Sequence, residues 1–196
     1  MTPPKRAPNF KVQDWVALAQ KVLRLEGPTA LTVDHLCSRA RRTKGSFYHH
    51  FKGISELTQA LARHWADVEG EAAAQTALAG TTPMDRLQAM LRLTAEADGR
   101  LERGIRVVAL GDPAVAALVG KADDRRELIM TSLLAAGYTL PGAEAHHFAR
   151  LFHALHLAAL MRAPGEAAHY ADGPAKALTA LLESNFPTDW PETAIA

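Results

Sequence analysis

The chain has 196 residues, 48% of them apolar and 22% charged, with a formal net charge of +1. That length can bury a real core; one cysteine excludes an internal disulfide framework; and the longest strongly apolar run, Leu151 to Met161, falls well short of the roughly 18–20 residues a membrane span needs. The opening MTPPKRAPNF lacks the apolar stretch of a signal peptide, so a soluble, cytoplasmic protein in a reducing compartment is expected, with no membrane association.

Composition also points to a fold class. The 38 Ala and 25 Leu far outnumber the 9 Val and 4 Ile, a balance of helix formers over strand formers, and an all-α protein is expected. The small net charge hides a division. Residues 1–56 hold ten Lys/Arg against four acids, a net of +6, while the remainder holds twelve against seventeen, a net of −5. A basic head on an acidic body is what attraction to a phosphate backbone predicts.

In chain order, the first helix is predicted over about 11–26, where Val12, Trp15-Val16, Ala19 and Val22-Leu23 recur at helical spacing before Gly27-Pro28 ends it. Thr32 caps a second helix with Leu36, Cys37 and Ala40 on one face. After a four-residue break, Thr43 caps a third of about nine residues that reaches Phe51. Two short helices joined by a tight turn, the second rich in basic and aromatic residues, have the layout of a helix-turn-helix, whose second helix lies in the DNA major groove. From Ile54 a longer pattern through Leu57, Leu61, Trp65, Val68 and Ala72 predicts a connecting helix to about residue 78. Further helices are predicted at roughly 83–98, 100–110, 113–136, 142–161 and 174–186. Each of Thr82-Pro83, Asp112-Pro113 and Asp172-Gly173-Pro174 serves as a starting signal. The expected organisation is a three-helix DNA-binding domain at 1–53, a helical body at 54–186 whose segment 54–79 is the connector, and an irregular tail at 187–196 in which Trp190 can dock.

Thr32-Val33, Leu36-Cys37, Ala40, the run Thr43-Lys44-Gly45-Ser46-Phe47-Tyr48-His49-His50-Phe51-Lys52, and Glu56-Leu57 together resemble the DNA-binding region of the tetracycline-repressor (TetR) family of bacterial transcriptional regulators. The resemblance covers about the first 60 residues. Arg41-Arg42 stand where a Gly-Val turn is usual, and Ile54 stands where a lysine often touches phosphate, a contact that Arg41, Arg42 or Lys52 can replace. The resemblance implies that 54–186 is a ligand-binding and dimerisation domain, in a dimer whose last two long helices form a four-helix interface. Phe148, Leu151, Leu155, Leu178 and Leu182 are the expected seam.

Residue chemistry assigns the expected roles in DNA binding. Lys44, Ser46 and His49 can offer hydrogen bonds to base edges; Thr32, Thr43, Tyr48 and Lys52 suit phosphates; Gly45 lets the backbone approach the groove edge. Phe47 and Phe51, four apart, are expected to be core, held against Trp15, Val22, Leu36 and Cys37. Trp65, Met90, Arg106, Met130, Phe152 and His156 are the candidate lining of an effector site for an unknown small molecule. The histidines 146, 147, 153 and 156 share one helix, but no nearby Cys or acid completes a ligand pattern, so no metal and no cofactor is expected. No nucleophile–base pair or phosphate-cradling glycine loop suggests an enzyme. The expected function is a homodimeric, ligand-responsive regulator, a repressor by analogy, on a near-palindromic double-stranded DNA operator. The alternatives are control by a protein partner and an architectural DNA binder.

Overall fold

The computed structural model describes residues 10–96, 99–162 and 167–186, and among them regular structure is helical throughout. The order is α1 (Val12–Glu26), a single 3-10 turn (Pro28–Ala30), α2 (Val33–Ala40), α3 (Lys44–Tyr48), α4 (Ile54–Leu78), α5 (Pro83–Glu96), α6 (Gly99–Ala109), α7 (Pro113–Gly137), α8 (Gly142–Leu160) and α9 (Ala167–Asn185). The all-α expectation holds. No helix among the described residues is long and apolar enough to cross a membrane.

Local chemistry places the helix ends. The Asp14 carboxylate accepts from the Lys11 backbone N–H at 2.7 Å, and α1 stops at Gly27, whose φ of 85° lies in the left-handed region. Thr82 and Asp85 cap α5 reciprocally: the Thr82 hydroxyl accepts from Asp85 N at 3.1 Å and the Asp85 carboxylate from Thr82 N at 3.0 Å. Asp112 Oδ1 accepts from Ala114 N and Val115 N, opening α7 with Pro113 at its first position.

Two expectations of extent are corrected. The third helix is five residues, not nine, although one helical bond continues beyond it, from Phe51 N to Phe47 O at 3.0 Å. The last helix begins at Ala167, not 174, so Asp172-Gly173-Pro174 lies inside it. A proline clashes with the Cβ of the residue before it, and Gly173 has none, which eases the helical conformation there. Residues 97–98, at the expected end of α5, and the tail from Pro187, with Trp190, lie outside the described residues.

The described chain divides into two compact units. One comprises the residues up to Trp65 with Arg100–Val119, the other Ala66–Gly99 and the residues from Gly120 onward; α4 and α7 each contribute to both. In the first unit Trp15, Val22, Leu36, Phe47, Leu57, Leu61, Ile105 and Val115 are essentially without exposed surface. In it α6 packs on α1 at Gly104, where a Cβ would lie 2.6 Å from Leu23 Cγ, so the Leu23 side chain rests directly against the glycine backbone. Ser55 Oγ donates to Asp112 Oδ2 at 2.5 Å, joining the start of α4 to the α6–α7 turn, and this bond is the main reason the Asp112 carboxyl sits below its usual range.

The second unit has its own core of Leu87, Met90, Leu134, Tyr138, Phe152, Leu178 and Leu182, with α8 packed along α9. Around it runs a partly buried charge chain: His153 Nε2 lies 3.5 Å from Asp123 Oδ1, Arg126 Nη1 3.6 Å from the same carboxylate, and Arg126 Nη2 3.3 Å from Glu69.

Candidate nucleic-acid interface

The platform beneath α3 is aromatic. Phe10 meets Trp15 edge-on at 4.8 Å between centroids, Trp15 meets Phe47 at 5.3 Å and 86°, and Phe47 lies 5.5 Å from Phe51. Trp15 and Phe47 are 0% exposed, and Leu36, Cys37 and Phe51 are buried with them, as the periodicity predicts. Burial also pushes the Cys37 thiol up, favouring its protonated form.

On this platform α2 and α3 are oriented by two threonines. Thr32 Oγ1 accepts from His35 N and Thr43 Oγ1 from Ser46 N, both at 3.2 Å. Each hydroxyl still has a proton to donate, so capping does not prevent a phosphate contact. Between the helices the chain turns through a Schellman arrangement, with Arg42 N donating to Cys37 O at 2.9 Å and Arg41 at φ 52°, ψ 48°. Arginine thus adopts the left-handed conformation that glycine favours. An L-residue there costs about 1–2 kcal/mol, partly offset by the extra unfolded-state freedom of glycine, so Arg41→Gly is expected to stabilise the fold by about 0.5–1 kcal/mol. An unchanged or lower urea midpoint would contradict the strain.

The outer face of α3 is open. Lys44, Tyr48 and His49 are exposed, Tyr48 by 55%, with Ser46 half-buried and Lys52 exposed beyond the helix. Lys44 Nζ pairs with Asp34 Oδ1 at 2.6 Å, and this bond holds its ammonium above the usual lysine range. Both partners are exposed, so the pair is weak and exchangeable for a stronger anion. Lys52 uses its backbone N–H to meet Glu56 Oε2 at 2.7 Å, which leaves its side chain uncommitted by that bond. At Gly45 a Cβ would have only Thr43 Oγ1 within 4 Å, at 3.7 Å, so nothing inside the protein requires glycine there.

Sequence reasoning missed three features of this region. Asp34 faces Lys44, Glu26 ties α1 to α2 through His35 Nε2 at 2.8 Å and Arg39 at 3.4 Å, and His50 Nε2 donates to Phe10 O at 2.8 Å. None of these pairs follows helical spacing; Phe10 alone carried a signal, as an aromatic residue immediately ahead of a helix.

The candidate effector residues are placed differently. Met90 and Phe152 are buried in the core of the second unit, with Met130 packed against it and His156 half-buried. Trp65 and Arg106 belong to the first unit. Trp65 is buried, and Arg106 Nη2 lies 2.7 Å from Glu102, itself 3% exposed. Of the expected dimer seam, Leu151 is 51% exposed and Phe148 and Leu155 half-buried, but Leu178 and Leu182 turn inward. Leu182, at 0% exposure, is spent in the chain's own core and has no surface to give a twin; the outward leucine on α9 is Leu181. Among the described residues no three His, Cys, Asp or Glu side chains gather as metal ligands.

Residues 16–61 match the family model described as bacterial regulatory proteins, tetR family. No curated protein matches by sequence. Solved structures with a similar fold include the reduced form of Escherichia coli NemR, at TM-score 0.72 and 18% identity over 90% of this chain and 98% of that one. A transcriptional regulator from Rhodococcus sp. Rha1 matches at TM-score 0.71 and 19% identity over 89% and 96%. The ketosteroid regulator KstR2 of Mycobacterium tuberculosis matches at 0.58 and 17% over 88% and 93%. The capped two-helix unit on its aromatic platform thus lies in the residue range that matches the tetR-family model of bacterial regulatory proteins, and the chain as a whole shares the helical fold of these solved structures.

Proposed function

We propose that this regulator is a homodimeric repressor, released from a near-palindromic operator by a small molecule. The observation that carries the DNA-reading part is the open outer face of α3, with Lys44, Tyr48 and His49 exposed above fully buried aromatic side chains. Lys44, Ser46 and His49 approach base edges; Thr32, Thr43, Tyr48 and Lys52 hold phosphates; Gly45 lies against the groove wall. Two copies set about 34–36 Å apart read the two half-sites. Leu151, with Phe148 and Leu155 beside it, contributes to the twofold contact, together with Leu181 in place of the inward Leu178 and Leu182.

The functional division falls at residue 53, with 54–186 carrying effector response and dimerisation. The apolar effector site is built around Met90, Met130 and Phe152, whose side chains share one core, with His156 as a polar neighbour; Trp65 and Arg106, in the other unit, sense its occupation indirectly. The mycobacterial neighbour, a ketosteroid regulator, supports an apolar ligand class. Binding changes DNA affinity only if the effector prefers one state of the protein, and α4, common to both units, is the element on which that preference acts.

Selection of duplexes from a random pool, with the mass of the bound species measured, tests the reading. A near-palindrome bound by one dimer is expected; sequence-indifferent binding, or a single unrepeated half-site held by a monomer, would overturn it. Gly45→Ala separates fold from function. Alanine suits a helix better by up to about 1 kcal/mol, so stability should hold or rise while affinity for the selected duplex falls about tenfold, since the added methyl meets only the DNA. Unchanged affinity would remove Gly45 from the interface.

A further inference from the structure

Residues 1–56 contain four acids, and three of them serve the scaffold of the reader. Asp14 accepts from Lys11 N, Glu26 ties α1 to α2 through His35 and Arg39, and Glu56 accepts from Lys52 N. Asp34 is placed differently. Its side chain is 73% exposed on the first turn of α2, two residues past the Thr32 cap, and its carboxylate meets Lys44 Nζ at 2.6 Å on the first turn of α3, one residue past the Thr43 cap. An acid in a first turn favours its own helix through the backbone dipole, but that role needs no partner on the next helix. Here the partner is the lysine assigned to a base edge, and the pair bridges the two helix starts whose threonines are assigned to phosphates.

We propose that Asp34 is a positioning residue that sets specificity: it engages the Lys44 ammonium so that this lysine serves a base edge and not sequence-indifferent phosphate binding. The proposal rests on the DNA-reading role of α3. An ammonium has three N–H donors and Asp34 takes one, so two remain for guanine O6 or N7 while the pair stays intact. A phosphate is a different case. To neutralise one, Lys44 must leave the carboxylate, which then stands unpaired on the face that meets the backbone, where salt screens its repulsion only beyond roughly 8–10 Å. The exposed pair is weak in itself, so this repulsion, more than the strength of the pair, disfavours the phosphate contact. While paired, the two side chains carry no net charge, and Lys44 releases no counterion on an arbitrary sequence. A repulsive group directed against the wrong complex raises discrimination while lowering total affinity.

The test titrates the selected duplex and an unrelated duplex of equal length, over a range of salt, with the full chain and with Asp34→Asn, Asp34→Glu, Lys44→Ala and Asp34→Asn combined with Lys44→Ala. Both side chains are more than half exposed, so none of these changes removes a packed group. Asp34→Asn is expected to bind the unrelated duplex about tenfold more tightly near 0.1 M salt, with its slope of log affinity against log salt steeper by about 1, the contribution of one freed cation. The selected duplex should gain much less, so discrimination falls by several-fold to about tenfold. Asp34→Glu keeps the charge within reach of Lys44 and should retain the discrimination and slope of the parent. Lys44→Ala loses the base contact, and adding Asp34→Asn to it should leave the ratio between the two duplexes unchanged, because Asp34 acts through Lys44. Undiminished discrimination in Asp34→Asn overturns the proposal, as does an equal loss of affinity for both duplexes, which would make Asp34 a support of the fold alone. If Asp34→Asn lowers discrimination even without Lys44, Asp34 accepts from a cytosine edge itself, and the proposal falls as well. A parent that selects no duplex overturns the reader together with this role, whereas equal selection by parent and Asp34→Asn removes the role of Asp34 alone.

Discussion

Replacing Phe47 with alanine is expected to cost about 3–5 kcal/mol, the largest single loss in the first unit, because a buried phenyl leaves a cavity that its neighbours fill only in part. Its ring has no exposed surface and is in edge or tilted contact with Trp15, Tyr48 and Phe51. With α3 only five residues long, its own hydrogen bonds cannot hold it helical, and packing through Phe47 supplies what length does not. Phe47→Leu should cost less, since most of the volume is retained. Denaturant unfolding of the three proteins gives the comparison, and DNA binding should fall with stability. A melting curve for Phe47→Ala that matches the parent would contradict the burial on which the orientation of Lys44 and His49 depends.

The second large effect is expected at Gly104. A Cβ there meets Leu23 Cγ at 2.6 Å and Cδ1 at 2.7 Å, closer than carbon atoms pack, and Leu23 is itself 2% exposed with no room to withdraw. Gly104→Val should therefore cost about 2–3 kcal/mol, overpacking outweighing the loss of glycine from a helix. Combining it with Leu23→Ala should restore part of the loss, giving a coupling energy of about 1 kcal/mol or more between the two sites. Strict additivity would mean that α6 and α1 do not touch there. The pair also matters for regulation. α6 belongs to the compact unit that contains α1 to α3, so its displacement bears directly on the reader. Should Gly104→Val weaken operator affinity more than its stability loss accounts for, α6 acts as part of the DNA-reading unit.

Most helix boundaries were legible because their causes are local. Thr32, Thr43 and Asp112 act within three residues of themselves, and apolar spacing in α1 identified the buried face from Trp15 to Leu23. The last helix was misjudged at its start because Asp172-Gly173-Pro174 reads as punctuation, whereas continuation is decided by burial of Leu178 and Leu182 later in the same helix and by the missing Cβ of Gly173. Those leucines also show the limit of periodicity. An apolar stripe announces that a face will be covered, but a chain's own core and a second copy cover it with the same chemistry.

What the linear order of residues determined by itself is the identity of the reader: cap, glycine, aromatic pair and basic face occupy consecutive positions, so the physics that forms them acts over one or two helical turns. Tertiary structure alone decided what surrounds that reader. Asp34 meeting Lys44, Phe10 fastened to His50, Leu23 against Gly104 and Ser55 with Asp112 join residues from 10 to 81 positions apart. No period in the sequence encodes such pairs, because they arise only when separate helices are brought together by the burial of their apolar faces.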